Sequence, residues 1–462
     1  MKIQISPALL RQYAIVLSVN LNVLATGVSL AWSSPMLVKL QDPEKTPLSR
    51  PLTDAEASWV VSLGFILAAG SNFVGGYLID FIGRKYCILA VSIPKLLTAI
   101  LLICATELWM VILGRSVMFM ADCFVLVVVP IYAAEIASKD QRGALGTLLQ
   151  VFSSLGIVIS LAIGPNVSYH VLSYILLGLI ILVTVPVIFI PESPYYLHSD
   201  GKTGDSLKIL TLLRESDTQA KQELADYELT IDKTFDKMAC FKDKIFVKAL
   251  LITLLLFGGT QFVGFNSVSV YLQTILISTN TNVMPEVASA IIGAIQVVSS
   301  LFVTFIMSTF GRKTILLVSL AGMCAGMFAL GSFFQTITPG DQITGFMNYL
   351  PIISLILVVV CYSAGIGAIV WPATTELFEG QARAFGVSIG LTFCQIAMFF
   401  ITKYFSTMTN ALGPAPTYWF YGTNCVIIAV VIAIFLPETK GKTFAEIQKA
   451  LGKKDAKENI TS

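Results

Sequence analysis

Charged residues are scarce in this 462-residue chain, and that scarcity limits the class of protein it can be. Asp, Glu, Lys and Arg together make up 13% of the sequence, against 55% hydrophobic residues, whereas a soluble domain carries about 25% charge. We therefore expect most of the chain to lie within a lipid bilayer. The net charge of +2 is too small to favour a nucleic-acid partner.

Histidine is scarce as well, and the cysteines lack the spacing of metal sites or disulfide frameworks. His170 and His198 are the only histidines, and none of the eight cysteines forms a C-x-x-C pair. Neither a zinc site nor a set of disulfides is predicted. No nucleophile–base pair and no phosphate-binding loop can be assembled, so we expect no enzyme activity and no cofactor. The first apolar run has no A-x-A-like end and is expected to remain as a membrane span.

Long apolar stretches are what the chain has in abundance. Roughly twelve segments approach the ~20 residues that a helix needs to span a bilayer. They lie near 12–33, 57–79, 86–106, 109–132, 144–164, 171–190, 246–275, 286–308, 314–334, 348–372, 384–404 and 417–436. This pattern predicts an all-α membrane protein with twelve transmembrane helices.

The cations of the short loops fall on one side of these spans. Among them are Arg84, Lys139 and Arg312, and the positive-inside rule places that side, with both chain termini, in the cytosol. Residues 192–245 mix charges with leucine at helical spacing, which predicts short amphipathic helices on the cytosolic surface. Asn166 opens an N-x-S sequon in a predicted outer loop, where it is either a glycan acceptor or an unused sequon.

The two halves of the chain repeat one another. FIGRK at 81–85 recurs as TFGRK at 309–313, and PES at 191–193 recurs as PET at 437–439. A glutamate precedes an arginine by seven positions in both halves, at 135 and 142 and again at 376 and 383. Such echoes predict two six-helix pseudo-repeats, a repeat arrangement known in transporters. The expected divisions are an N-terminal half at 1–191, a linker at 192–245, a C-terminal half at 246–436 and a tail at 437–462.

Motifs along nearly the whole chain resemble those of the sugar porter family of the major facilitator superfamily. They are GGYLIDFIGRK at 75–85, PIYAAEIASKDQRGALGTLLQ at 130–150, PESPYYL at 191–197, QFVGFN at 261–266 and PETKGKTFAEI at 437–447. Within the family, WSSPMLVKL at 32–40 and PLTDAEASWV at 51–60 are most similar to insect facilitated trehalose and glucose transporters. The resemblance implies the major facilitator fold, a small-molecule sugar as substrate and a functional monomer in the plasma membrane.

Several positions depart from the pattern of that family. Phe81 replaces the usual arginine of the first motif, and Ser308 replaces the aspartate before the second Gly-Arg pair. Thr260 replaces the first of two adjacent glutamines, and Gln395 stands where a tryptophan is common. Both the expected inner gate and the expected sugar site are therefore modified, so the usual substrate does not follow automatically.

Uncharged polar and aromatic residues inside the spans are the candidate sugar ligands. Sugar hydroxyls both donate and accept hydrogen bonds, as amides do, and polar groups within spans generally face a cavity or a neighbouring helix. The alternative for each amide is a hydrogen bond that holds helices together, and for the tryptophan it is an interfacial anchor. By the resemblance and by position, the candidates are Gln150, Gln261, Asn266, Gln296, Trp371, Tyr271 and Gln395.

Charged residues at the cytosolic ends of the spans are the candidate inner gate. Paired glutamates and arginines there can form ion pairs when the inner mouth closes and become solvated when it opens. Exposed pairs contribute only about 0–1 kcal/mol, which suits contacts that break in every cycle. The alternative, ordinary positive-inside anchors, explains the cations but not the matched glutamates. The candidates are Asp80, Arg84, Glu135, Arg142, Glu192, Arg312, Glu376, Arg383 and Glu438.

Three charged residues fall within predicted spans of the first half. An acid at the centre of a membrane helix costs about 2.5–3.5 kcal/mol on insertion scales, so Asp122 needs a compensating partner. Arg115 lies seven residues earlier, and Lys95 lies on the preceding span. Two hypotheses follow. Either the three residues form a structural ion pair or triad, or Asp122 carries a coupling proton.

The sequence as a whole predicts a facilitative sugar uniporter that works by alternating access between two helical halves. The alternatives are a proton-coupled sugar symporter, a non-transporting sugar sensor of the same fold, and a carrier of another solute such as a polyol or an organic ion. Few charges lie in the spans of the second half, and away from the first residues of these spans the sequence has only Lys403, close to the outer end of its span. A charged substrate is therefore disfavoured.

Overall fold

A computed structural model of the chain describes residues 6–138, 141–214, 216–228, 240–337, 343, 345–378, 380–440, 442 and 444–452. Every regular element within these residues is a helix. The α-helices are α1 (Pro7–Ala31), α2 (Ser33–Gln41), α3 (Asp54–Ile82), α4 (Arg84–Ile103), α5 (Leu108–Ile136), α6 (Arg142–Ile163), α7 (Tyr169–Phe189), α8 (Pro194–Ser199), α9 (Thr203–Leu213), α10 (Asp217–Glu228), α11 (Lys244–Phe262), α12 (Phe265–Val270), α13 (Leu272–Ser278), α14 (Pro285–Thr309), α15 (Arg312–Thr336), α16 (Leu350–Cys361), α17 (Gly367–Thr375), α18 (Gly380–Leu412), α19 (Pro414–Phe435) and α20 (Phe444–Ala450).

The predicted membrane spans are confirmed as long apolar helices. Among the described residues, 11 helices are long and apolar enough to cross a membrane, and the number rises to 12 when the bent helix α3 is counted as one span. The first span is longer than the sequence suggested, because α1 and α2 together run over Pro7–Gln41. The bend in α3 is 55°, between the segments Asp54–Asn72 and Val74–Ile82.

Two spans of the second half are broken rather than continuous. In the span Lys244–Val270, helix α11 ends at Phe262, and Gly264 follows with φ of +81°. A Cβ at Gly264 would lie 2.4 Å from the Tyr421 ring, so only glycine fits this turn. The span that starts with α16 passes through a π-helical turn, Tyr362–Ile366, in which Gly365 has φ −127° and ψ −110°. A pair of glycines such as Gly365 and Gly367 in the sequence favours loosening of a helix, and the π-helical turn shows that loosening here.

The first compact unit comprises residues 1–52 and 70–234. Its apolar core is built mainly from α1, α4, α5 and α7, and includes Val19, Val128 and Tyr132. Helices α1 and α6 meet backbone to backbone, because a Cβ on Gly27 would lie 2.2 Å from the Ser153 carbonyl oxygen. Small residues permit such an approach between membrane helices.

The predicted amphipathic helices of the linker are present as α8, α9 and α10, and they belong to the first unit. Arg214 joins them to the bundle: its Nη1 donates to the Ile136 carbonyl oxygen at 2.9 Å, and its Nε lies 2.6 Å from the Glu223 carboxylate. Gln12 adds a second link, since its Nε2 donates to the Leu213 carbonyl oxygen at 2.7 Å. Residues 229–239 of the predicted linker lie outside the described residues.

The second compact unit comprises residues 53–69 and 235–462. Its core is apolar and aromatic, with Leu256, Met323 and Leu330 fully buried. Helices α15 and α16 approach closely at a small residue, because a Cβ on Gly326 would lie 2.9 Å from the Ser354 carbonyl oxygen of α16. The first part of α3 groups with this unit, although segment 70–234 of the first unit separates it in sequence from the rest of the second unit.

Candidate functional site

A network of amides forms at the break between α11 and α12. Gln261 donates from Nε2 to Thr260 Oγ1 at 2.8 Å and to Cys394 Sγ at 3.0 Å. Asn266 donates from Nδ2 to Gln261 Oε1 at 2.7 Å across the turn at Gly264. Both N–H groups of Gln261 are thus engaged, and its oxygen retains one lone pair. Asn266 also hydrogen-bonds the Tyr362 hydroxyl, which leaves its own oxygen for a further partner.

An aromatic pair lies one turn before this network. Trp371 on α17 meets the Phe257 ring edge to face, with ring centroids 5.5 Å apart. Phe257 is linked to the amide network because Thr260 Oγ1 donates to its carbonyl oxygen at 2.7 Å. Trp371 is 51% exposed, so a large apolar face remains free for contact. Amides beside an accessible indole are the groups that a sugar with hydroxyls and an apolar ring face requires.

The other candidate ligands have different surroundings. Gln150 on α6 is half-buried, and its Nε2 lies 3.4 Å from Ser154 Oγ. Gln296 on α14 is 7% exposed. Tyr271 stacks on Phe405 with ring centroids 5.0 Å apart, and its hydroxyl has no hydrogen-bond partner among the described residues. Gln395 is half-buried on α18, next to Cys394 of the amide network.

The first charge cluster joins Asp80, Arg84, Glu135, Glu192 and Ser193. Arg84 Nε lies 3.0 Å from Glu135 Oε2, and Arg84 Nη1 lies 3.3 Å from Asp80 Oδ1. Ser193 Oγ donates to the same Glu135 oxygen at 2.5 Å. The Arg84 side chain is 5% exposed and that of Glu135 is 16% exposed. The predicted charges of the first half are therefore brought together, and the pair is largely removed from water.

Glu192 has a different role from the ion pair in this cluster. Its Oε1 accepts hydrogen bonds from the backbone N–H groups of Arg84 at 3.0 Å, Lys85 at 3.0 Å and Ser193 at 2.7 Å. The first N–H groups of a helix have no partner within the helix, so Glu192 caps α4. Gly83 makes room for this carboxylate, since a Cβ there would lie 2.5 Å from Glu192 Oε2.

The second charge cluster, Arg312, Glu376 and Glu438, repeats this arrangement in the second half. Arg312 Nη2 lies 3.2 Å from Glu376 Oε1. Glu438 accepts from the backbone N–H groups of Arg312 at 2.8 Å and Lys313 at 3.1 Å, and so caps α15. A Cβ on Gly311 would lie 2.3 Å from Glu438 Oε2. The motifs that repeat between the two halves in sequence thus adopt the same arrangement of ion pair and helix cap in both halves.

Backbone donors lower the pKa of Glu438. Burial raises the pKa of this carboxyl group, but the N–H groups of Lys440, Arg312, Lys313 and Thr439 together outweigh burial. The pKa of Glu438 therefore lies below its ordinary value of 4.5, because hydrogen bonds to a carboxylate favour its charged form.

Two predicted gate residues lie apart from the ion pairs. Arg383 is exposed, and its Nε donates to the Phe378 carbonyl oxygen at 3.2 Å. It forms no ion pair with a carboxylate in the part of the chain that the structure describes. The side chain of Arg142 lies outside the described side chains. The matched spacing of glutamate and arginine in the two halves therefore does not mark the observed pairs, which join Glu135 to Arg84 and Glu376 to Arg312.

The three intramembrane charges of the first half form one buried cluster. Lys95 Nζ lies 2.7 Å from Asp122 Oδ1, and neither side chain is more than 4% exposed. Ser29 Oγ donates to Asp122 Oδ2 at 2.5 Å and accepts from Arg115 Nη1 at 3.0 Å. Thr26 Oγ1 donates to Asp122 Oδ1 at 3.1 Å. Arg115 therefore reaches the acid through a hydroxyl, whereas Lys95 contacts it directly.

Several residues of these sites were not predicted from the sequence. The hydroxyls of Thr26 and Ser29 surround Asp122, and their spacing of three residues on one helix is the only signal that pointed to them. Cys394 had no role assigned, and neither did Ser193. Asn166 is exposed in the short 3₁₀-helix Gly164–Asn166, which is compatible with a glycan acceptor.

Comparison with known proteins adds a family and a fold. The family model described as "Sugar (and other) transporter" matches residues 22–451. The facilitated trehalose transporter Tret1 of Polypedilum vanderplanki is 29% identical over 94% of this chain and 87% of its own length. Tret1 of Aedes aegypti is 28% identical over 94% of this chain, which spans about half (54%) of that relative's length. The xylose transporter XylE from E. coli, in an inward-open conformation, aligns with a TM-score of 0.79 at 20% identity over 95% of this chain and 99% of that one.

Proposed function

Because the chain belongs to the Sugar (and other) transporter family, we propose that it carries trehalose or a hexose across a membrane by facilitative uniport. The relatives from Polypedilum vanderplanki and Aedes aegypti are facilitated trehalose transporters by name, which favours trehalose as the first substrate to test. The movement is downhill and alternates access between the two halves of the chain. No enzymatic step is part of the cycle.

The observation that carries this proposal is the uncharged amide network of Gln261 and Asn266 beside the accessible face of Trp371. One lone pair on the Gln261 oxygen and the side-chain oxygen of Asn266 can accept hydrogen bonds from the hydroxyls of a sugar. The indole offers stacking area for the ring of the sugar. Gln150, Gln296, Tyr271 and Gln395 complete the proposed binding residues. A neutral solute fits such a set better than an ion.

The two charge clusters are the proposed inner gate. Each contains an arginine–glutamate ion pair that is partly shielded from water and a carboxylate that caps a helix, at the cytosolic end of its own half. Asp80 adds a second ion pair to the first cluster. The ion pairs are contacts that a conformational change can break and remake. The same orientation puts both termini in the cytosol and Asn166 outside, in a plasma-membrane protein that acts as a monomer and bears a glycan. A mobility shift on deglycosylation, lost in Asn166→Gln, would test that topology.

Counterflow of labelled sugars into liposomes that contain the purified protein tests the function. We expect exchange of trehalose, glucose or fructose, and a loss of at least about tenfold in Gln261→Ala, because one hydrogen bond to a substrate hydroxyl contributes roughly 1.5 kcal/mol. Gln219→Ala, on the exposed face of α10, is the matched control and should exchange as wild type does. Sugar binding without any exchange would instead identify a sensor, and no interaction with any of the three sugars would overturn the proposal.

A further inference from the structure

Helix α3 belongs to both compact units. Its first part, up to Ala69, groups with the second unit, and its continuation from Gly70 groups with the first. The change of direction of 55° lies just beyond this division, between Asn72 and Val74. Because the first part of α3 is far in sequence from the remainder of the second unit, side-chain contacts must hold it there.

Lys403 on α18 provides the main contact. Its Nζ donates to Ser58 Oγ at 2.7 Å and to the Ala55 carbonyl oxygen at 3.3 Å. It also lies 3.9 Å from the centroid of the Trp59 ring, a cation–π contact. An ammonium group has three N–H donors and no acceptor. Partners at three positions on one face of α3 therefore satisfy the whole group without a carboxylate.

Two further contacts extend this interface along α18. Asn410 Nδ2 donates to Asp54 Oδ2 at 2.9 Å. One turn on the other side of Lys403, Phe399 meets the Trp59 ring with centroids 6.1 Å apart. We call this set the α3–α18 latch: Asp54, Ala55, Ser58 and Trp59 on α3 with Phe399, Lys403 and Asn410 on α18.

The latch lies at the ends of its helices that are remote from the charge clusters. Asp54 begins α3, whereas Asp80 of the first charge cluster lies near the end of that helix. Asn410 is close to the end of α18, whereas the start of that helix, Gly380, follows Glu376 of the second charge cluster by four residues. The latch therefore lies on the membrane face opposite the proposed inner gate.

We propose that the α3–α18 latch is the outer gate of the transport cycle, closed in this structure, and that Lys403 is the residue that holds it shut. This inference rests on the proposed transport function and adds to it a gate on the second face of the membrane. The three contacts of Lys403 are lost together when the first segment of α3 leaves α18. The bend beyond Asn72 supplies the hinge, with Gly70 and Gly76 beside it free of any contact within 4 Å of an added Cβ.

Cys394 is a natural reporter for opening of this gate. It lies on α18 nine positions before Lys403, at the amide network, and is a half-buried free thiol. The experiment uses the full chain in proteoliposomes, with the other seven cysteines replaced by alanine or serine. A membrane-impermeant maleimide is added outside, and the rate at which it labels Cys394 is measured without sugar.

Lys403→Met should raise this labelling rate by roughly tenfold or more, since it removes a hydrogen-bonded cation from the closed state. Lys403→Arg should label close to wild type. Thr409→Ala is the control on the same helix, because its hydroxyl donates to Phe405 of its own helix at 2.9 Å. An unchanged rate in a monodisperse Lys403→Met protein would overturn the gate. This readout does not depend on transport, so a chain that carries no sugar can still confirm or refute the latch.

A second measurement applies to the cycle itself. Asp54→Cys with Asn410→Cys, cross-linked by a short bifunctional thiol reagent, should stop counterflow, and a cleavable linker should restore it on reduction. Full exchange by the cross-linked protein would show that the contact is static and would refute its role as a gate.

Discussion

Removal of Lys95 tests whether the buried charges of the first half are structural. The ammonium of Lys95 lies 2.7 Å from a fully buried Asp122 carboxylate. Lys95→Met keeps an apolar stem of similar length but leaves Asp122 with two hydroxyl donors, Ser29 and Thr26, and a more remote Arg115. A negative charge without its cation in such a site is far less favourable than the pair.

The magnitude follows from the burial of both partners. Loss of one partner of a buried ion pair typically destabilises a protein by about 3–5 kcal/mol, whereas replacement of both by apolar residues is often close to neutral. We therefore expect the single variants Lys95→Met and Asp122→Leu to lower the folding equilibrium by roughly two to four powers of ten. The double variant should recover most of that loss.

Thermal unfolding of the four purified proteins, followed by intrinsic fluorescence, completes the double-mutant cycle. Both single variants should melt well below wild type, with the double variant between them and wild type or above. Additive losses would show that the two residues do not act as a pair. Wild-type uptake should also persist with a protonophore, since protonation of Asp122 would leave Lys95 unbalanced. Uptake that collapses in wild type but not in Asp122→Asn would identify Asp122 as a proton carrier and refute the structural role.

Three further predictions concern the charge clusters and the sugar site. Gly311→Ala should destabilise the protein by about 1–3 kcal/mol and lower its melting temperature, because the new Cβ would lie 2.3 Å from Glu438 Oε2. Gly178→Ala is the control and should melt as wild type does, because nothing lies within 4 Å of its added Cβ. Stability should fall as the pH drops through the lowered pKa of Glu438, below its ordinary 4.5, and should be constant above that value. Glu438→Gln should lose this part of the pH dependence in melting curves, and an unchanged profile would contradict the capping role. Gln395→Trp adds stacking area beside the amide network and should change the ratio of trehalose to glucose counterflow; an unchanged ratio would remove this position from substrate selection.

The sequence was sufficient for the helices and for the residues of the charge clusters. Apolar length predicts the spans, and the repeated motifs select Arg84 and Glu135 in one half and Arg312 and Glu376 in the other. The pairing itself did not follow from spacing, because it joins residues on different helices. A regular interval between glutamate and arginine in the sequence was therefore a poor guide to which atoms meet.

The break at Gly264 and the hydroxyl contacts were harder to predict. Gly264 is compatible with a continuous helix in an apolar sequence, and only its neighbour Tyr421 shows why the chain turns there. The three-residue spacing of Thr26 and Ser29 is a weak signal, since a hydroxyl can equally bond its own helix. The role of Ser29 depends on Arg115 and Asp122 meeting it from another helix.

The carboxylate caps of α4 and α15 have a consequence for the order in which the protein matures. The backbone groups that open α4 receive their acceptor from a residue 108 positions later, and those that open α15 from one 126 positions later. At a translation speed of about 5–20 residues per second, each helix start waits for roughly 5–25 s before its acceptor is synthesised. During that interval the nascent helix ends depend on water or on the insertion machinery, and each half becomes complete only when its closing glutamate arrives.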